Sequence, residues 1–197
     1  MQVEDHLISS AYVIALKSSP RPQSNSNALA DQVIAGAQAS GAQVESVGLH
    51  RMNIQPCDAC DGCQGATDDP CVIDDDMQAL YPKLRRADAI LIASPVYWFA
   101  LSAQAKLCID RWYALDGPQG SALAGKHFGL VLTYGDSDPF ASGAINAIRA
   151  FQDVCRHIRA DIAGIVCGSA SRPGDIQRQA DVMARAFDLG RKLAGRR

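Results

Sequence analysis

The stretch Ala11-Tyr-Val-Ile-Ala-Leu16, followed by Lys17-Ser-Ser-Pro-Arg-Pro-Gln-Ser-Asn-Ser-Asn27, decides the fold. A short run that is apolar at every position reads as a strand buried on both faces, which belongs in a parallel sheet covered by helices. The polar loop after it opens a helix of period 3.6 from about Asn25 to Ala39, and a second strand follows at about Gln43–Leu49. This part of the chain therefore spells one strand–helix–strand unit. The alternation continues. Asp74-Asp75-Asp76 supplies an N-cap and first-turn acids for a helix reaching Arg86, with Arg85 and Arg86 at its C-terminal end. Ala89–Ala93 is a third strand, and Leu101, Ala105, Cys108 and Trp112 share one helical face. His127–Thr133 is a fourth strand, Ala144, Ile148, Phe151 and Cys155 mark the next helix, Ile162–Cys167 is the last strand, and a final helix runs from about Gly174 to Ala194. Five strands of this kind with helices between them specify a parallel sheet in a three-layer α/β sandwich.

The composition fits one globular domain over residues 1–197, with 48% hydrophobic, 6% aromatic and 20% charged residues. A formal net charge of −2 excludes the basic footprint of a nucleic-acid or anionic-membrane binder, and the terminal Lys-Leu-Ala-Gly-Arg-Arg reads as a cationic helix end. The start Met-Gln-Val-Glu-Asp-His lacks the pattern of a signal peptide, and no apolar run approaches the roughly 18 residues of a membrane span, so a cytoplasmic location is expected. Seven cysteines in such a chain favour thiols or metal ligands over a disulfide framework.

Four of them fall together: Cys57-Asp-Ala-Cys60-Asp-Gly-Cys63, then seven residues, then Cys71, within a Cys-rich loop at 55–73. Two-residue gaps can place successive thiolates around one soft metal centre, and a fourth sulfur can complete S4 coordination of zinc or hold an iron–sulfur cluster; free thiols or a reactive Cys-x-x-Cys pair are the remaining readings. Asp58, Asp61, Asp68, Asp69 and Asp74–Asp76 surround the thiolates, with no Lys or Arg between 57 and 76, which weakens an anionic cluster or lowers its potential. Cys108, Cys155 and Cys167 read as buried structural thiols, and His6, His50, His127 and His157 carry no assigned role.

Ligands of open parallel sheets bind at the carboxyl ends of the strands. The loop Lys17–Asn27 has no Gly-x-Gly-x-x-Gly or Gly-Lys-Ser/Thr, which excludes the usual dinucleotide and NTPase motifs, but it stacks hydroxyls, amides and Arg21 at a helix N-terminus, a setting that favours a terminal phosphate. An ordinary Ser/Asn cap is the alternative. The loop after the third strand, Ser94-Pro-Val-Tyr-Trp-Phe99, offers consecutive aromatics for stacking a ring ligand, or a buried Trp–Phe cluster.

Three motifs resemble the flavodoxin-like, NAD(P)H-dependent FMN reductases, and within them the branch that includes the iron–sulfur flavoproteins. Ser18-Ser-Pro-Arg21 with Ser24-Asn-Ser26 is similar to the family's Gly-Ser-Pro-Arg-x-x-Gly-Asn-Thr phosphate loop, with both glycines replaced by serine. This implies that Ser19, Arg21, Ser24, Asn25 and Ser26 hold the FMN phosphate, and a serine at a position needing positive φ would be strained. Ser94-Pro-Val-Tyr-Trp with Ser102-Ala-Gln-Ala-Lys106 and Asp110-Arg111 resembles the flavin-ring loop and following helix, implying that Pro95, Val96, Tyr97 and Trp98 contact the isoalloxazine. Thr133-Tyr-Gly-Asp136 is similar to the third flavin loop, which adds Tyr134, Gly135 and Asp136. The cysteine segment through Met77 is similar to the compact motif of iron–sulfur flavoproteins, implying a [4Fe-4S] cluster on Cys57, Cys60, Cys63 and Cys71.

The resemblance implies a flavodoxin-like sandwich with sheet order 2-1-3-4-5 and an FMN-dependent enzyme. It would pass electrons from NAD(P)H to a quinone, flavin or similar small-molecule acceptor, in a homodimer or homotetramer. With a cluster, single-electron exchange with a protein such as ferredoxin is the alternative, and a non-enzymatic redox or metal sensor is the third class.

Overall fold

A computed structural model describes residues 10–65 and 71–195. The N-terminal hexapeptide with His6, the loop acids Asp68 and Asp69, and the terminal arginines lie outside the described residues. The chain forms β1 (Tyr12–Lys17), α1 (Asn25–Ala39), β2 (Gln43–Gly48), α2 (Met77–Arg86), β3 (Ala89–Tyr97), β4 (Ala100–Leu101) and α3 (Ala103–Asp110). It continues through β5 (Asp116–Gly117), β6 (Gly120–Ser121), β7 (His127–Tyr134), α4 (Ala144–His157), β8 (Asp161–Ser169) and α5 (Ala180–Ala194). The long strands are all parallel and run β2-β1-β3-β7-β8, which is the 2-1-3-4-5 order of a flavodoxin-like sheet.

Alternation along each strand divides the core in two. Tyr12, Ile14 and Leu16 of β1, Ile90 and Ile92 of β3, and Phe128, Leu130 and Leu132 of β7 face α2, α3 and α4. Val13, Ala15, Ala89, Leu91, Ala93 and Val131 face α1 and α5. Small residues on the second face let α1 and α5 sit close to the sheet and to each other. A Cβ added to Gly190 would lie 1.9 Å from the Val33 carbonyl oxygen, and one added to Gly36 would lie 2.0 Å from that of Phe187.

The edge strands β2 and β8 are not buried on both faces, α2 carries no acid in its first turn and its N-cap Asp76 makes no side-chain capping bond, and three further elements begin or end elsewhere than the sequence predicts. The third strand runs on through Tyr97, because Val96 and Tyr97 pair antiparallel with Leu101 and Ala100 in a hairpin, so Leu101 belongs to β4. Helix α3 starts at Ala103, behind a Ser102 hydroxyl that accepts from the Ala105 N–H, and Trp112 falls in a 3-10 continuation at Arg111–Leu115. The last helix begins at Ala180; Ile176–Arg178 is a separate 3-10 turn after Gly174, whose φ of +85° breaks any helix there.

Candidate functional site

At the carboxyl ends of β1, β3, β7 and β8 lies a cleft of about 300 Å³, lined by Ser19, Arg21, Gln23, Ser24 and Asn25, by Pro95, Val96 and Tyr97, by Thr133, Tyr134 and Gly135, and by Ala170, Ser171 and Pro173. This volume sits at the lower end of the range for small-molecule sites. One end is polar, formed by the loop before α1 and the first turn of that helix, where N–H groups have no intrahelical acceptor. The other end is apolar and aromatic.

The loop before α1 is held by its serines. The Ser18 hydroxyl donates to the Ala93 carbonyl at 2.9 Å and pairs with Ser102 at 2.8 Å, while the Ser102 N–H donates to the Ser94 hydroxyl at 2.9 Å. Three fully buried hydroxyls thus lock the ends of β1 and β3 to the start of α3. Ser24 caps α1 by accepting from the Asn27 N–H at 3.2 Å. Neither serine that stands in a glycine's place has positive φ, and Ser24 sits at φ −87°, so the expected strain is absent.

Of the expected phosphate-loop residues, Ser19, Arg21, Ser24 and Asn25 line the cleft. Ser26 is fully buried with its hydroxyl on that of Ser24 at 2.9 Å. The Asn25 carboxamide turns to the loop after β8: its Nδ2 donates to the Arg172 carbonyl at 2.9 Å, and its Oδ1 accepts from the Ile176 N–H at 3.4 Å. That loop forms a wall of the cleft and was not anticipated, although its run Ser169-Ala-Ser-Arg-Pro-Gly174 carries turn-forming residues at a strand's carboxyl end. Its hydroxyls reach back, Ser171 Oγ to the Gly135 carbonyl at 2.9 Å and Ser169 Oγ to that of Asp136 at 2.5 Å. The Asp136 side chain does not line the cleft.

Pro95, Val96 and Tyr97 line the apolar end, with Tyr134, whose phenol burial pushes to a higher pKa. Trp98 stands off this wall. It and Phe99 form the tip of the β3–β4 hairpin, with φ of +46° and +63°, the signs of a type I′ turn that normally uses Asn-Gly. Trp98 is 92% exposed, and Phe99 rests on Gly143, where an added Cβ would lie 2.5 Å from that of Phe99. A buried Trp–Phe cluster is therefore not formed.

The cysteine loop has its own seat. Cys57 and Cys60 are exposed, Cys63 and Cys71 half-buried, and none is in a disulfide. No three His, Cys, Asp or Glu side chains among the described residues approach closely enough to share a single metal ion. The Cys60 thiol is shifted upward: the Gly62 N–H favours its anion, but the Asp58 carboxylate beside it and lost hydration together disfavour that anion more. Beneath the loop lies Arg111, 1% exposed. Its guanidinium is paired with the buried Asp75 carboxylate, donates to the Gln55 carbonyl at 2.9 Å, and reaches the Cys71 sulfur through Nη2 at 3.3 Å. Burial opposes the Asp75 anion, but Arg111 and the N–H groups of Gln55 and Met77 outweigh it and hold the carboxyl below its usual range. Gln64 Nε2 donates to the Tyr113 and Asp116 carbonyls at 3.0 and 3.1 Å and lies 3.5 Å from the Cys63 sulfur, and Tyr113 hydrogen-bonds Asp61 at 3.0 Å. The segment after α3 thus supplies the cation that the loop lacks in its own sequence.

A family model described as NADPH-dependent FMN reductase matches residues 11–164. An iron–sulfur flavoprotein of Methanosarcina thermophila is 34% identical over 119 residues, 57% of this chain and 61% of that one. An iron–sulfur flavoprotein of Methanocaldococcus jannaschii is 29% identical over 189 residues, 92% of this chain and 95% of that one. Among solved structures, an NAD(P)H:quinone oxidoreductase from Methanothermobacter marburgensis superposes with a TM-score of 0.69 at 18% identity, over 95% of this chain and 99% of that one, a likeness of fold.

Proposed function

The chain belongs to the NADPH-dependent FMN reductase family, which makes it an NAD(P)H-dependent oxidoreductase, and we propose that FMN sits in the cleft with electrons leaving it for a quinone, a flavin or a similar small acceptor. The observation that carries this reading is the polarity of the cleft. Its hydroxyl-rich end, with Ser19, Ser24, the exposed Arg21 and the first turn of α1, suits a terminal phosphate dianion, and its other end, with Pro95, Val96, Tyr97 and Tyr134, suits a flat ring. When bound, FMN supplies the hydride-accepting ring and the return of one or two electrons to an acceptor. The chain's part is to bind, orient and shield. Asn25 fixes the wall after β8, and the Ser18–Ser94–Ser102 network fixes the loops on which phosphate and ring would rest.

A second reading rests on the cysteine loop. Four thiols with iron–sulfur spacing, two of them already facing N–H donors, form a donor set whose chemistry suits a [4Fe-4S] cluster. The relatives named iron–sulfur flavoproteins support it. On this reading a one-electron protein partner such as ferredoxin becomes the exchange partner, within one domain and a homo-oligomer.

The experiment is an absorption spectrum of protein purified without oxygen, with iron, sulfide and zinc assays, repeated after adding NADPH or NADH. Flavin bands that bleach without metal establish the first reading alone. About four irons and four sulfides per chain beside FMN establish the second. Protein that takes up no FMN overturns both.

A further inference from the structure

Arg111 holds more donors than its own packing uses. A guanidinium carries five N–H bonds in a fixed fork. Here Nη1 serves Asp75 and the Gln55 carbonyl, and Nη2 serves Asp75 and the Cys71 sulfur. Nε is buried without a hydrogen-bond partner among the described residues. An unpaired N–H on a side chain 1% exposed costs free energy unless an acceptor arrives, and beside its oxygen acceptors, Asp75 and Gln55, the guanidinium already reaches a sulfur, that of Cys71.

We propose that Arg111 is a positioning residue for a cluster on the cysteine loop: its guanidinium fixes Cys71 as a ligand and, by hydrogen bonding at sulfur, makes the cluster easier to reduce. This rests on the second reading above. One-electron reduction adds one negative charge to an already anionic group, and a buried cation with N–H donors at sulfur favours that extra charge. Asp75 neutralises much of the Arg111 charge but leaves its donors in place, so hydrogen bonding carries the effect. The surrounding acids, Asp58, Asp61, Asp74 and Asp76, act in the opposite direction, and Arg111 is the buried cation placed against them.

The test uses intact, anaerobically purified protein, wild type and Arg111→Lys, carrying whatever FMN, iron and sulfide co-purify. Iron and sulfide are assayed, the cluster midpoint is followed in a redox titration, and the reduced wild type is prepared with arginine labelled by ¹⁵N in the guanidino group for pulsed EPR. The expected results are a cluster in the wild type, a ¹⁵N coupling on it, and a midpoint lowered in the variant by at least the tenfold change in one-electron equilibrium that corresponds to 59 mV. If Arg111→Lys does not fold or loses its iron, the ¹⁵N coupling in the wild type decides. A loaded wild type without coupling, or a loaded variant with an unchanged midpoint, overturns the role of Arg111 and leaves the cluster reading intact. A wild type without iron overturns the cluster reading, and the role of Arg111 with it.

Discussion

Asn25→Ala separates two roles that look alike from sequence. If the carboxamide serves the cleft by holding the loop after β8, its loss is felt before any cofactor binds. The 2.9 Å bond to the Arg172 carbonyl is worth about 1 kcal/mol, and the longer bond at Ile176 less. Leaving the Ile176 N–H unpaired beside a fully buried side chain adds about 1 kcal/mol more. The sum is about 2 kcal/mol, which for a chain of this size lowers Tm by about 4–8 °C. The assay is thermal unfolding of flavin-free protein, with FMN affinity measured in parallel. Asn25→Asp sharpens the comparison. It keeps an acceptor for Ile176, loses the donation to Arg172, and adds a negative charge beside the loop assigned to the phosphate, so it weakens FMN binding more than Asn25→Ala does. An unchanged Tm without flavin, together with an FMN affinity tenfold or more weaker, refutes the reasoning, because the side chain would then be meeting the phosphate rather than the wall.

The apolar end makes a paired prediction: Tyr97→Ala weakens FMN by about 1–3 kcal/mol, the range for stacking on an aromatic side chain, whereas Trp98→Ala leaves the affinity within a few-fold, since Tyr97 lines the cleft and Trp98 does not; equilibrium binding of FMN to each variant checks it, and the opposite order would move the ring to the hairpin tip. Gly190→Ala gains about 1 kcal/mol of helix propensity but drives a Cβ to 1.9 Å from the Val33 carbonyl, so a net loss of about 2 kcal/mol is expected in a denaturant titration, and a stabilised variant would show that α1 and α5 separate freely. Asp75, held below its ordinary pKa by Arg111 and two N–H groups, contributes stability that is present above the unfolded-state value near 4 and is lost as pH falls through its folded value. Unfolding free energies measured from neutral pH down to acid should therefore fall more steeply for wild type than for Asp75→Asn, which starts lower because it leaves Arg111 a buried cation with no charged partner. Parallel pH curves would remove Asp75 from the acid transition.

The inner strands were legible because residues such as Ile14, Ile90 and Leu130 are buried on one sheet face while Val13, Leu91 and Val131 are buried on the other, and that demand writes an unbroken apolar run; their order is not written in such runs and followed from the family resemblance alone. The polar end of the cleft was legible for the same local reason: Ser24 caps the helix that it immediately precedes. What escaped reading depends on separation along the chain. Asn25 meets Arg172 across 147 positions, and nothing near either residue marks the other. The hairpin tip escaped because Trp98 and Phe99 hold a turn normally made by Asn-Gly, supported by Gly143 from a distant loop. The cysteine segment itself holds no cation, and nothing near it in sequence marks Arg111, which reaches Cys71 from 40 positions beyond it.

That long-range contact gives α3 its significance. Its first end is tied through Ser102 to Ser94 and Ser18, the hydroxyls that set the loops of the cleft, and the residue after its last turn, Arg111, is tied to Asp75 and Cys71. From Ser102 to Arg111 the helix spans roughly 14 Å at 1.5 Å per residue. One short, well-packed element, with Ala105 and Cys108 buried on its inner face, therefore fixes the distance between the cleft and the cysteine loop. A flexible loop in its place would let that separation vary. A helix pinned at both ends by buried polar groups does not, because moving either end unpairs a hydroxyl or a guanidinium that has no water to turn to. If electrons pass between a flavin in the cleft and a centre on the cysteines, the path length is set here, and loosening the Arg111 end of α3, away from the hydroxyls that hold the cleft, should slow that transfer while leaving flavin reduction by NAD(P)H, followed by stopped-flow absorbance, unchanged.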